Sequence, residues 1–184
     1  MRNIEVTFVK NKEQALEEIK KTIPNGSELM TGSSITLDQI GFIDLLKSHN
    51  HSWKNLKDEI VAEKDPIKQN ILRKQSVLAD YFLGSVHAIA ETGEIVVASG
   101  SGSQLPAYVF TSDHVIWVVG AQKIVPTLDE ALKRVKEYCL PLEDERMKST
   151  GAPGSAIGKL LIFEKEIMPN RKLKLILVNE VLGF

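Results

Sequence analysis

Apolar and polar residues alternate from Ile4 to Val9. Ile4, Val6 and Phe8 fall on one side and Glu5 and Thr7 on the other, the period-two pattern of a strand. The period then changes. Asn11 followed by Gln14 is a helix start of capping-box type, Ala15, Leu16 and Ile19 form a buried stripe, and Pro24-Asn25-Gly26 ends the unit. A short strand at Leu29-Met30 leads into a polar turn, Thr31 to Thr36, and the helix beyond it carries Leu37, Ile40, Ile43 and Leu46. Gly41 lies inside that helix, where glycine costs about 1 kcal/mol against alanine, so close packing against a neighbour is expected there. Ser48 to Lys64 is mixed and polar and reads as a surface excursion. Asp65-Pro66 opens a further helix, Asp as N-cap and Pro at the first helical position. It is expected to run to about Tyr81 with Ile67, Ile71, Leu72 and Leu78 facing inward.

In the second half Gly84 breaks the pattern. Val86 to Ala90 and Ile95 to Ala98 read as short strands around the turn Glu91-Thr92-Gly93-Glu94, followed by a Ser/Gly loop from Ser99 to Gln104. Val115 to Val119 is continuously apolar, as a central parallel strand covered on both faces would be. Thr127 with Glu130 is a capping box, and Leu128, Ala131, Leu132 and Val135 continue as a helical stripe. Leu160 to Phe163 and Leu173 to Val178 read as closing strands. Strands alternating with helices predict an α/β fold of three layers with a largely parallel sheet, in one domain spanning residues 1–184.

Composition narrows the partners. The 184 residues carry a net charge of −1, which gives no broad footprint for nucleic acid or a membrane surface. The single cysteine, Cys139, excludes a disulfide framework and any all-protein cysteine cage for an iron–sulfur cluster. No apolar run approaches a membrane span and the first residues contain no secretory h-region, so a cytoplasmic protein is expected. Histidines at 49 and 51 lack a third ligand nearby, and no metal site or cofactor is expected. Glu143-Asp144-Glu145-Arg146 reads as a solvated face or a subunit contact, and a homo-oligomer is compatible with it.

The candidate chemistry lies in the turns. A strand, a turn of glycine and hydroxyls, then a helix makes an anion site of Thr31, Gly32, Ser33, Ser34 and Thr36, because the first backbone N–H groups of a helix have no internal partner. The plainer reading is that Ser34 or Thr36 only caps the helix. In an open α/β sheet ligands bind beyond the carboxyl ends of strands. The turn holding Glu91, Thr92 and Gly93 and the loop holding Ser99, Gly100, Ser101 and Gly102 are therefore expected to converge on it, with Lys123 meeting a ligand phosphate or carboxylate. Glu91 is the tentative catalytic group, as a general base, a hydroxyl acceptor or a nucleophile toward an acyl thioester; its structural alternative is to bond backbone N–H groups in a tight turn. His87 beside it reads more readily as a packed core residue, and Cys139 as buried and inert. Gly154 to Lys159 has the wrong spacing for a nucleotide P-loop.

Three segments carry a family resemblance. Met30 to Phe42 resembles the glycine–serine–threonine signature of the LUD domain, the family of lactate-utilisation protein C; Ala79 to Gly93 is similar to its Ala-Asp…Ala-Ile-Ala-Glu-Thr-Gly segment, and Val118 to Val125 to its Val-Val-Gly…Lys-Ile-Val strand end. The resemblance implies a fold like that of ribose-5-phosphate isomerase, glucosamine-6-phosphate deaminase and the CoA transferases, with the Thr31–Thr36 turn binding a phosphate or acyl carboxylate. It implies a protein that binds a small anionic metabolite and is connected with lactate or organic-acid utilisation. Two alternatives stand beside it: an enzyme acting on a phosphosugar or acyl-CoA through Glu91, and a non-catalytic subunit docked to an iron–sulfur oxidoreductase that supplies any cluster. Val86 and His87 stand where the isomerases carry an Asp, which argues against simple aldose–ketose isomerisation.

Overall fold

A computed structural model describes residues 2–184. Six strands form a wholly parallel sheet: β1 (Glu5–Val9), β2 (Glu28–Thr31), β3 (Lys54–Asn55), β4 (Tyr81–Gly84), β7 (His114–Gly120) and β10 (Lys172–Val178), in the order β1-β10-β7-β4-β2-β3. A second, mixed sheet is built from β5 (Ala88–Ala90), β6 (Ile95–Ser99), β8 (Ile124–Val125) and β9 (Lys159–Phe163), in the order β8-β5-β6-β9. The mixed α/β class and the parallel sheet agree with the sequence pattern.

The core follows from the alternation along β7. Ile116 and Val118 point to one face, where they pack with Ala15 and Ile19 of α1 (Lys12–Thr22), Leu37 of α2 (Ile35–Gln39) and Phe42 of α3 (Phe42–Lys47). Val115, Trp117 and Val119 point to the other, where Ile95, Val97 and Phe163 of the second sheet cover them. Between the sheets Phe82, Tyr108, Trp117 and Phe163 form a file of edge-to-face contacts, each pair 5.5 Å apart. The far side of the second sheet is closed by α6 (Leu128–Arg134) and the π-helical turn Val135–Cys139, through Ala131 and Val135 against Ala88 and Val96. One face of the parallel sheet is thus covered by another sheet rather than by helices.

Several local expectations change. The helix beyond Thr36 breaks at Gly41, which takes φ +77° as the left-handed hinge between α2 and α3; a Cβ there would meet only Leu16, at 4.0 Å, so conformation and not close packing places the glycine. The polar excursion contains β3 and α4 (Leu56–Ala62), with Asn55 capping α4 through the Lys57 N–H. Helix α5 (Pro66–Gln75) begins as expected, with Asp65 accepting from Ile67 N–H at 2.8 Å, but ends before β4. Its Ile67 and Ile71 are exposed, as is Leu78 just after it, because α5 leans on α4 and not on the sheet. Val6 and Phe8 are each 61% exposed, since β1 is the sheet's edge strand.

Candidate functional site

The carboxyl ends of β2, β4 and β7 open onto a cavity of about 630 Å³. The turn after β2 forms one wall. Ser34 is the N-cap of α2, its hydroxyl accepting from Leu37 N–H at 3.2 Å, so the capping reading holds for that oxygen. Thr31, Gly32, Ser33, Ser34 and Thr36 all border the cavity. The floor is made by the end of β4. Gly84 has no side chain because the Tyr108 ring lies against it, and a Cβ there would overlap the Tyr108 hydroxyl.

Lys123 sits behind this wall, in the 3₁₀ turn Ala121–Lys123 that follows β7, and is 2% exposed. Its Nζ donates to Thr36 Oγ1 at 3.2 Å, Ser85 Oγ at 3.1 Å and the Val86 carbonyl at 3.1 Å. All three acceptors are neutral, and among the described residues no carboxylate forms an ion pair with it. Burial lowers its pKa to about 8, with Arg134 pushing the same way, so the ammonium still dominates at neutral pH. A hydroxyl that accepts from an ammonium keeps its own proton to give. Ser85, whose remaining contact is a stretched 3.4 Å one to the Val86 carbonyl, is therefore an activated donor at the cavity wall.

Two further cations stand at the outer side. Lys57 approaches Thr31 Oγ1 at 3.5 Å, and its pKa is lowered first by burial and then by the neighbouring charges of Arg73 and Lys47. Neither Lys57 nor Arg73 has an acidic partner among the described residues. Across the cavity Arg146 is matched by Glu143 in a two-pronged pair, both contacts 2.7 Å. The charged side chains bordering the cavity are thus Lys57, Arg73, Lys123 and Arg146 against that of Glu143. A concave site with this imbalance suits an anion.

The Ser/Gly loop arrives as expected. Ser99, Gly100 and Ser101 border the cavity, while Gly102 turns away, its N–H bonded to Ser99 Oγ at 2.9 Å. The Glu91 turn does not arrive. Glu91, Thr92 and Gly93 are not among the lining residues, and Glu91 leaves β5 at the end away from His87. The reason is topological: β5 and β6 are antiparallel, so the loops that follow them leave in opposite directions and only one can reach the cavity. The turn is closed on itself instead. Glu91 N–H bonds the Val125 carbonyl at 2.8 Å, Thr92 bonds Glu94, and Arg2 grips the Thr92 carbonyl at 2.6 Å and Glu94 at 2.8 Å.

Sequence reasoning missed Lys57, Arg73, Ser85, Tyr108 and Arg146. Lys57 lies in the polar excursion and Arg73 on the helix whose apolar stripe faces solvent, and no periodicity marks a lone tyrosine as cavity floor. Cys139 is buried, as expected, yet borders the cavity; burial raises its pKa despite the Arg134 guanidinium beside it. Tyr108 belongs to the π-helical turn Ala107–Thr111, and Arg171 fixes that turn by donating to the carbonyls of Ala107, Tyr108, Val109 and Ser112 at 3.0–3.1 Å while paired with buried Glu166.

Comparison with known proteins agrees with this architecture. The LUD domain family matches residues 1–174. A DUF162 family protein from Deinococcus radiodurans shares the fold, with a TM-score of 0.54 at 16% identity over 96% of this chain and 88% of that one. Lower structural similarity extends to a ribose-5-phosphate isomerase in complex with phospho-erythronic acid (TM-score 0.42, 12% identity, 94% and 96% covered) and to eIF2B beta from Chaetomium thermophilum (TM-score 0.45, 12% identity, 65% and 44% covered). No curated protein matches the chain. No helix among the described residues is long and apolar enough to cross a membrane.

Proposed function

This chain belongs to the LUD domain family, and we propose that it binds a small anionic metabolite, phosphorylated or carboxylate-bearing, in the cavity at the carboxyl edge of the parallel sheet. The observation that carries this reading is Lys123, a buried ammonium with only neutral partners facing a cavity of net positive charge. A buried charge without a counter-ion is costly, and an anion bound beside it relieves the imbalance. Thr36 and Ser85 relay the charge of Lys123 to the ligand, and Lys57 and Arg73 meet it from the solvent side. An organic acid of the lactate class supplies the carboxylate form of such a ligand, in keeping with the family's lactate-utilisation members. Glu91 takes no part, since it does not border the cavity.

Thermal melting tests this reading. Phosphate, sulfate, lactate or a sugar phosphate at millimolar concentration should raise the melting temperature; an anion at a hundred times its Kd adds about 2.7 kcal/mol of stability. Lys123→Met should keep the fold and lose the protection. The protection should also decline as pH rises through about 8, where the Lys123 ammonium is lost. No shift with any anion, or a shift that Lys123→Met leaves intact, would overturn the reading.

A further inference from the structure

One side of the cavity wall offers hydrogen bonds without charge. The His87 ring accepts a hydrogen bond at Nδ1 from the Ala98 backbone N–H, at 3.1 Å. A ring nitrogen that accepts carries no proton, so a neutral His87 must hold its proton on Nε2. Nε2 has no partner among the described residues, and the side chain borders the cavity. Lys123 and Arg134 face the ring with like charge, Glu143 acts weakly in the opposite sense, and Cys139 approaches its carbonyl at 3.9 Å. Burial and the two cations lower the pKa of His87 to about 4, which keeps the ring neutral at physiological pH. The second neutral group is the Tyr108 hydroxyl. Tyr108 is 1% exposed, its hydroxyl lies against Gly84 and close to Gly32, and it has no hydrogen-bond partner among the described residues. Burial pushes its pKa up, so it stays protonated and donates.

We infer that His87 Nε2–H and the Tyr108 hydroxyl form a second, uncharged subsite on either side of Gly84-Ser85-Val86, which donates hydrogen bonds to the hydroxyl or carbonyl oxygens of a ligand whose anionic end is held by the lysines. The inference rests on the anion reading and narrows it. A ligand without such oxygens leaves two desolvated donors unpaired, which disfavours bare anions and acyl chains. The class that fits is a polyol phosphate or a hydroxy or oxo acid.

Propyl phosphate and glycerol 3-phosphate share a phosphate and a three-carbon chain and differ in the hydroxyls, so they separate the two subsites. Titration calorimetry on the wild-type protein should find glycerol 3-phosphate bound about tenfold tighter, the margin of one or two net hydrogen bonds. Tyr108→Phe removes one oxygen and no packing, and should shrink that margin while leaving the affinity for propyl phosphate unchanged; His87→Phe should shrink it further. Nitrogen-15 NMR of the wild-type protein at neutral pH should report a neutral His87 protonated at Nε2, independently of how the variants fold. Equal affinity for the two esters, or a His87 that is protonated at Nδ1 or doubly protonated, overturns this inference alone. A wild-type protein that binds neither ester nor inorganic phosphate overturns the anion reading and this inference with it.

Discussion

The turn Thr31–Thr36 and the turn Glu91–Glu94 are both polar, both contain glycine and both follow a strand, yet they end in opposite electrostatic states. Around the first, Lys57, Arg73 and Lys123 stand without acidic partners and the Tyr108 hydroxyl has none of any kind among the described residues. Around the second, Arg2, Thr92 and Glu94 satisfy one another, and the Glu91 N–H is taken by a neighbouring strand. A reactive residue type in a turn is therefore a poor guide to chemistry. The better guide is a polar group that the fold has buried and left under-partnered, because it is stabilised only when something else arrives.

The cavity floor around Tyr108 and the Glu91 turn are each held by an arginine, and this gives the sharpest contrast. Arg171 and Glu166 are buried, with side-chain exposures of 2% and 5%, and Arg171 fixes the carbonyls around Tyr108. Arg171→Met leaves Glu166 buried and uncompensated and should cost about 3–5 kcal/mol in chemical denaturation. Arg2 holds the Glu91 turn from the surface, and Arg2→Met should leave the unfolding midpoint unchanged. If Arg2→Met proved the more damaging, the closed turn and not the cavity floor would be the strained part of the molecule.

The next effect is one of pH. A folded-state pKa of about 4 for His87, against an ordinary 6.5, means that the unfolded chain binds the proton first as pH falls. The stability associated with His87 is complete above pH 6.5 and is lost as pH falls toward 4, a span worth on the order of 3 kcal/mol. Urea denaturation at pH 7 and at pH 4.5 should show this loss in the wild type and a smaller one in His87→Phe. Smaller again is Gly84→Ala, whose Cβ would displace the Tyr108 hydroxyl. Overpacking of this kind costs about 1–3 kcal/mol, and here it should also weaken the discrimination between the two phosphate esters.

Much of the fold was legible because it is written in local periodicity. Val115 to Val119 reads as a doubly covered strand and is one, and the Asn11, Asp65 and Thr127 caps close where their spacing puts them. The second sheet was not legible. Strands read alike whichever sheet they join, and pairing between distant segments leaves no local mark, so the opposite exits of the β5 and β6 loops could not be seen. For the same reason the Thr31–Thr36 turn, Lys123 and part of the Ser99–Gly102 loop could be placed at the cavity from the sequence, each on a strand end or its turn, whereas Lys57, Arg73 and Tyr108 reach it only through tertiary packing. The exposed Ile67 and Ile71 show the converse: an apolar stripe at helical spacing need not face a core.

The smallest expected effect tests the comparison most directly. Glu91→Gln removes a charge from the turn that the sequence marked as catalytic and leaves its shape intact. Glu91 is exposed and contributes its backbone N–H, not its carboxylate, to the Val125 contact. Its carboxylate does not border the cavity, so the melting temperature, the protection by phosphate and the ratio of affinities for the two esters should all match the wild type. A change confined to ligand binding would mean that β5 and its turn rearrange toward the cavity when a ligand is present, and Glu91 would return as a candidate for chemistry. Unchanged binding in Glu91→Gln together with lost binding in Lys123→Met would place recognition at the positive cavity and leave the Glu91 turn a structural clasp.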